Sequence, residues 1–299
     1  MTLFAFLGAL QSGLIYAMVG LGVFVAFRVM AFPDLTADGS FPLGAAAAAA
    51  SVVAGLDPWL SILVAVAAGA VAGLVTGLIS EKLKIQPILA GLLTMTALYS
   101  INLRVMGQPN VALLGKPTIF TDLAWTGLAR STLVLIVLAL FVLAVKLLLD
   151  WFFATELGLA LRARGSNQRM SEANGISSTA ATLVGLAIAN GCVALGGALF
   201  AHSQGFADVT MGIGTIIVGL AAVIVGEVFI FRSGRIAWLT LGCVVGSIVY
   251  WIFITLATMS GRIGLQPSDL NLVTAVLVGV AMALPLLRQR LRSLRKAKL

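Results

Sequence analysis

Long apolar runs separated by short polar breaks organise this 299-residue chain from end to end. Nine such runs are read, at residues 3–27, 41–55, 58–80, 86–106, 131–150, 179–201, 212–230, 236–259 and 270–287. Most are long enough for a helix to cross a hydrocarbon layer of about 30 Å, which takes roughly 20 residues. The breaks have local causes. Pro33 and Pro42 bracket a polar stretch, Asp57-Pro58 makes a tight turn, Gln86-Pro87 opens the fourth run, and Gln108-Pro109-Asn110 closes it. The pattern predicts an all-α, polytopic transmembrane bundle forming a single domain over residues 1–299.

The second run is too short. Its 15 residues, 41–55, rise only about 22 Å as a helix. It follows Phe32-Pro33-Asp34-Leu35-Thr36-Ala37-Asp38-Gly39-Ser40, a segment rich in helix breakers. Irregular backbone at membrane depth is tolerated only where protein or a wet cavity surrounds it. Residues 33–40 are therefore expected inside the protein, beside a solute path, with Ser40 as the N-cap of a half-helix. A similar string, Phe206-Ala207-Asp208-Val209-Thr210, stands 174 residues after Phe32-Pro33-Asp34-Leu35-Thr36. Two readings stay open: an inverted-topology repeat with discontinuous helices beside the solute path, or two independent Asp/Thr caps.

Composition agrees with the pattern. The chain is 60% hydrophobic, its mean hydropathy is +1.09, and 10% of its residues are charged, where a soluble domain carries about a quarter. The net charge of +8 reports topology first. With the C-terminus inside, the inner face receives Arg28, Lys82, Lys84, Lys146, Arg162, Arg164, Arg169, Arg232, Arg235 and the basic tail at 288–299. The outer face keeps Arg104, Lys116, Arg130 and Arg262. The N-terminus is therefore expected outside and the C-terminus inside. The tail reads as an inner-face anchor to membrane lipid rather than as a nucleic-acid site. The first basic residue is Arg28, so Met1 to Phe27 reads as a span and not as a signal peptide.

Small residues recur at helical spacing, at Gly69, Gly73 and Gly77 and again at Gly242 and Gly246. Such stripes let helix backbones approach closely, either within the chain or between subunits. Polar residues within or beside the runs are Asn102, Asn190, His202, Gln204 and Glu227. The two asparagines read as interhelical hydrogen-bonders, and His202 and Gln204 as groups at a wet span end. Glu227, close to Arg232 and Arg235, reads as an ion-pair member or loop anchor rather than as a solute contact.

Catalytic patterns are missing. The sequence holds no phosphate loop, no His-Glu-x-x-His helix and no Gly-x-Ser-x-Gly elbow, and His202 is its one histidine. Cys192 and Cys243 have no metal-ligand spacing and suggest no disulfide framework. The expectation is a transporter, not an enzyme, with no cofactor of its own. Any ATP and Mg would be held by a separate ATPase polypeptide.

The polar loop at 155–178 is the most informative hydrophilic segment. Ser166 or Asn167 can cap a short helix running to Ala173, and Gly175 ends it. Such a helix suits docking to a cytosolic partner, though an ordinary positive-inside loop would look similar. Here Gly158, Ala163-x-Gly165-x-Asn167 and Gly175-Ile176 resemble the permeases of bacterial ABC importers of the branched-chain amino-acid and ribose group. The resemblance continues through Asp34 to Ser40, Lys82 to Ala90, and Gly219 to Arg235. It departs at Gly226-Glu227, where the family often has Gly-Gly, and in the basic loop 231–235. No counterpart of an additional N-terminal span of the sugar permeases is read among the nine runs. The strings at 37–41 and 93–102 resemble the amino-acid subgroup.

The resemblance implies a homodimeric permease served by a cytosolic ATPase and an extracytoplasmic binding protein. It makes the loop an ATPase-coupling element carried by Arg162, Ala163, Arg164, Gly165, Asn167, Arg169, Ala173, Gly175 and Ile176. The solute path or half-helix caps are expected at Asp34, Thr36, Asp38, Ser40, Asn102, Asn190, Asp208 and Thr210. The rival reading is an ion-coupled secondary transporter, which would need acidic residues deep in the membrane; these are scarce.

Overall fold

The computed structural model describes residues 3–123, 129–229, 235–259 and Gly279. Helix α1 (Leu3–Val23) runs on through a π-helical stretch, Phe24–Val29. There follow α2 (Ala37–Val53), α3 (Pro58–Leu83), α4 (Pro87–Met106), the short strand β1 (Asn110–Ala112), α5 (Ile119–Asp122) and α6 (Arg130–Ala154). Two short helices, α7 (Glu156–Ser166) and α8 (Gln168–Ala173), lead into α9 (Ser178–Gln204). Strand β2 (Phe206–Asp208), a 3-10 turn (Val209–Gly212), α10 (Thr215–Phe229) and α11 (Ile236–Met259) complete the order.

Among the described residues, seven helical segments are long and apolar enough to cross a bilayer. Helix α2 is not one of them, as its predicted shortness requires. The first eight apolar runs each coincide with a helix. The ninth, at 270–287, lies outside the described residues apart from Gly279, as do the basic tail, Arg262 and Phe231 to Gly234.

Local chemistry sets the helix ends. Asp57 caps α3 by accepting the Trp59 N–H at 2.8 Å, with Pro58 in the first turn. Gly205, at φ 80°, ends α9 in the left-handed conformation that glycine adopts without a Cβ clash. From there the chain reverses into β2, which pairs antiparallel with β1, Asn110 opposite Asp208.

The bundle is organised by a reciprocal exchange. Helix α9 packs along α2 and α3, α1 packs along α10 and α11, and α1 and α9 pack on each other. The two Asp/Thr strings form the same turn: the Thr36 N–H donates to Asp34, and the Thr210 N–H to Asp208.

The glycine stripes serve packing within the chain. A Cβ on Gly44 would lie 2.0 Å from the Ala194 carbonyl oxygen, and one on Gly73 would lie 2.1 Å from that of Leu186. Gly226 and Gly246 bring α10 and α11 together in the same manner. Lipid is as apolar as leucine, so close backbone contact supplies the dispersion energy that exclusion from water cannot.

Candidate functional site

The first polar feature lies where α1 gives way to α2. The helix widens to a π-helix at Phe24–Val29, and Ala31 takes φ 52° as the chain turns back towards the middle of the bundle. Asp34 accepts the Thr36 N–H at 2.9 Å on one carboxylate oxygen and the Asn190 amide at 2.7 Å on the other. Ser40 donates to Asn190 Oδ1 at 2.7 Å, and the Thr36 and Thr76 hydroxyls share a hydrogen bond at 2.7 Å. Asp34, Thr36, Ser40 and Asn190 are all buried. Asn190 lies close to the middle of α9, so this polar knot sits about halfway through the bundle. It borders a tight crevice between α1, α2 and α9, which Gly22, Ala26, Asp34 and Asn190 help to line. Asn102 joins from α4 by donating to the Gly39 carbonyl at 3.3 Å.

Ser40 does not cap α2. The Asp34 turn starts the helix one turn earlier, with Thr36 as the N-cap residue and Ser40 inside the first turns. The polar residues at 37–40 can be helical because other helices satisfy them.

Asp38 holds a second junction. Its carboxylate accepts the Ile216 N–H at 2.7 Å, the Thr215 hydroxyl at 2.9 Å and the Gly214 N–H at 3.3 Å. A residue in the first turn of α2 thus caps α10, and the N-termini of the two short helices meet. Both ends carry partial positive charge, so a carboxylate between them relieves their repulsion and satisfies orphan N–H groups. Pro42 lacks the N–H that would engage the Asp38 carbonyl within the helix. Gly212 packs there instead, where a Cβ would fall 2.0 Å from that oxygen.

Asp208 and Thr210 are not part of this knot. Asp208 accepts the Thr210 N–H and hydroxyl and the Asn110 amide, holding β2 against β1 at one end of the bundle. The Thr210 hydrogen bonds hold its carboxyl below the usual carboxylate range. His202 is buried rather than wet and meets the Ser61 hydroxyl at 3.0 Å, whereas Gln204 is exposed. Glu227 forms an ion pair with Arg28 at 2.6 Å, joining the ends of α1 and α10, while Arg232 lies outside the described residues.

The second feature occupies the opposite end from the β1–β2 pair. Thr155 caps α7, and Asn167 caps α8 by accepting the Met170 N–H at 3.1 Å. Gly175, at φ 82°, follows α8 and turns the chain towards α9. Arg162, Ala163, Asn167, Arg169, Ala173 and Gly175 are exposed, and Met170 is 63% exposed between them. Ile176 is half-buried.

Arg164 departs from the expected partner surface. It is buried and donates to Glu81 at 3.2 Å, to the Met30 carbonyl at 3.2 Å and to Ser178 at 3.3 Å. Gly165 beside it seats against the end of α1, where a Cβ would lie 1.8 Å from the Val29 carbonyl oxygen. The segment is therefore two-faced: one side is exposed, and the other is bolted to α1, α3 and α9. Sequence reasoning missed Glu81, Thr182, Thr76 and Thr215. In Ser80-Glu81-Lys82-Leu83-Lys84, the acid looks like one more charge in a polar turn.

Comparison with known proteins fits this arrangement. Residues 5–291 match the family described as branched-chain amino acid transport system / permease component. A tyrosine transport system permease protein of Clostridioides difficile (strain R20291) is 39% identical over 273 residues, 91% of this chain and 88% of the relative. An uncharacterized protein of Rickettsia prowazekii (strain Madrid E) is 32% identical over 92% of this chain and 95% of its own length. A nucleoside ABC transporter permease of Lactococcus lactis subsp. cremoris (strain MG1363) is 26% identical over 72% of this chain and 68% of its own. Among solved structures, an inward-facing ABC transporter of the metal-chelate type has the same fold, at TM-score 0.52 and 17% identity. That match covers 93% of this chain and 84% of the other.

Proposed function

The chain belongs to the permease family of branched-chain amino acid transport systems, and from that premise we propose that it is the membrane subunit of an importer for an aromatic amino acid. The two-faced α7–α8 segment carries this reading. A permease without ATP-binding motifs needs a surface that receives motion from a separate ATPase. The exposed Arg162, Asn167, Arg169 and Met170 offer a charged rim around an apolar knob. Two copies of the chain, two ATPases on the cytoplasmic face and a binding protein on the outer face complete the proposed assembly. It sits in a bacterial inner membrane with the N-terminus outside, the C-terminus inside and lipid around it.

The solute class follows from similarity to the tyrosine permease, which extends over nearly the whole chain. Solute released by the binding protein passes between the two copies by alternating access. The Asp34–Asn190 knot and the Asp38 junction fix the half-helices beside that path. In this assembly the chain binds no cofactor, and ATP and Mg stay on the ATPase.

Two experiments test the proposal. In proteoliposomes holding permease, ATPase and binding protein, ATP should drive uptake of labelled tyrosine in preference to leucine or a nucleoside. Preferred nucleoside uptake would overturn the solute class. Separately, the double variant Met170→Asp, Arg169→Glu reverses the charge and polarity of the exposed face without touching its buried side. Interface centres of this kind account for much of a binding energy, so ATPase retention on the tagged permease should fall roughly a hundredfold. Full retention would remove α8 from the interface.

A further inference from the structure

The buried side of the α7–α8 segment holds a cluster that none of the above assigns. Glu81, close to the end of α3, accepts Arg164 at 3.2 Å and the Thr182 hydroxyl of α9 at 2.7 Å on the same carboxylate oxygen. Arg164 in turn reaches the Met30 carbonyl and Ser178. Both members of the pair are largely buried, with side chains 9% and 11% exposed. One ion pair therefore gathers the end of α7, the end of α3, the start of α9 and the turn that follows α1.

That turn has a special position. Met30 is followed by Ala31 at φ 52°, and then by the non-helical residues that carry Asp34 and Thr36 into the middle of the bundle. Thr36 is bonded to Thr76, which lies on the same helix as Glu81. The segment is thus gripped at both ends: at Met30 by Arg164, and at Thr36 by the helix that carries Glu81. Gly165, seated on the Val29 carbonyl, prevents α7 from sliding without moving the end of α1.

We propose that Glu81 is a positioning residue for coupling: it holds Arg164 on Met30, so that motion of α7 and α8 is delivered to the broken segment 31–36. The inference rests on the reading of α7–α8 as the ATPase-coupling element. A guanidinium is well suited to the task, because its planar fork serves several acceptors in fixed directions. A buried pair of this kind is a poor source of stability against an apolar replacement. A role in fixing geometry accounts for its presence better than a role in holding the fold.

The test uses the permease–ATPase complex with Cys192 and Cys243 replaced by alanine and a bimane fluorophore on Ala31→Cys. In the parent complex, MgATP with vanadate should change the bimane emission. Glu81→Gln keeps the shape and the acceptor but removes the charge. It should leave the bound ATPase hydrolysing ATP at close to its parental rate, while the emission change falls about tenfold. Thr182→Val, which removes only the hydroxyl that steadies Glu81, should give a smaller loss of the same kind. The double exchange Glu81→Arg, Arg164→Glu should recover part of the response.

An undiminished emission change in Glu81→Gln would overturn the proposal. So would parallel loss of ATPase binding and emission change, or failure of both single variants to fold, since the pair would then serve stability alone. If the parental complex holds no ATPase, the coupling reading fails instead, and co-purification detects that before any variant is made.

Discussion

Asp38→Ala is expected to destabilise the folded protein by about 3 kcal/mol, the scale of a lost charge-assisted hydrogen-bond set that leaves enclosed donors unmatched. The carboxylate accepts two backbone N–H groups and a hydroxyl at the start of α10. Asp38 is half-buried, and unmet backbone donors are costly within a bilayer. Asp38→Asn keeps one acceptor oxygen but loses the charge that faces two helix N-termini, so its loss should be about half as large. Thermal unfolding in detergent, followed by circular dichroism, measures both. Equal melting of Asp38→Ala and the parent would show that α10 does not depend on this cap. Transport should fall with stability, since the same contact fixes one short helix against the other.

Gly44→Leu should be more damaging still, by at least ~3 kcal/mol, beyond the usual range for overpacking. The atom that blocks a Cβ is the Ala194 carbonyl oxygen, 2.0 Å away, with the Ala194 carbonyl carbon and Cα close behind. A flexible side chain can step aside, but a helix backbone can move only by parting α2 from α9. That separation would also break Ser40 from Asn190 and Asn190 from Asp34. The expected result is loss of folded protein from the membrane fraction and rapid proteolysis. Gly8→Leu, where nothing lies within 4 Å of the added Cβ, should express and melt like the parent. Similar yields for both would show that α2 and α9 are farther apart than described.

The apolar runs were enough to locate eight helices, because the segregation of apolar from polar residues reports directly which segments leave water. The shortness of the second run also exposed the broken helix. Its start was misjudged by four residues, since Ala37 to Ser40 look like loop until Asn190, Asn102 and Thr215 are known to face them. Asp34, Thr36 and Asn190 could be singled out as polar groups in apolar surroundings. That they meet one another is a property of α2 packing on α9, to which hydropathy is blind.

Asp38 shows the same limit. Its residue type announced a cap, but the capped helix begins 177 residues later at Thr215. Arg164 was legible as part of the polar segment between α6 and α9, and the side it faces was not. On a helix of 11 residues, one position more or less turns a side chain by about 100°, from the exposed face to the buried one. Glu227 was recognised as an ion-pair acid, yet its partner Arg28 comes from the other end of the sequence. The ion-coupled carrier, compatible with composition alone, gives way to membership of the permease family.

The most direct test of the account is to purify the intact complex from its native membrane by a tag on this chain and identify its companions. The account predicts an ATPase subunit bearing a phosphate loop, held through α7 and α8 and released by Met170→Asp, Arg169→Glu. Recovery of this chain alone, still moving solute in proteoliposomes under an ion gradient and without ATP, would contradict it.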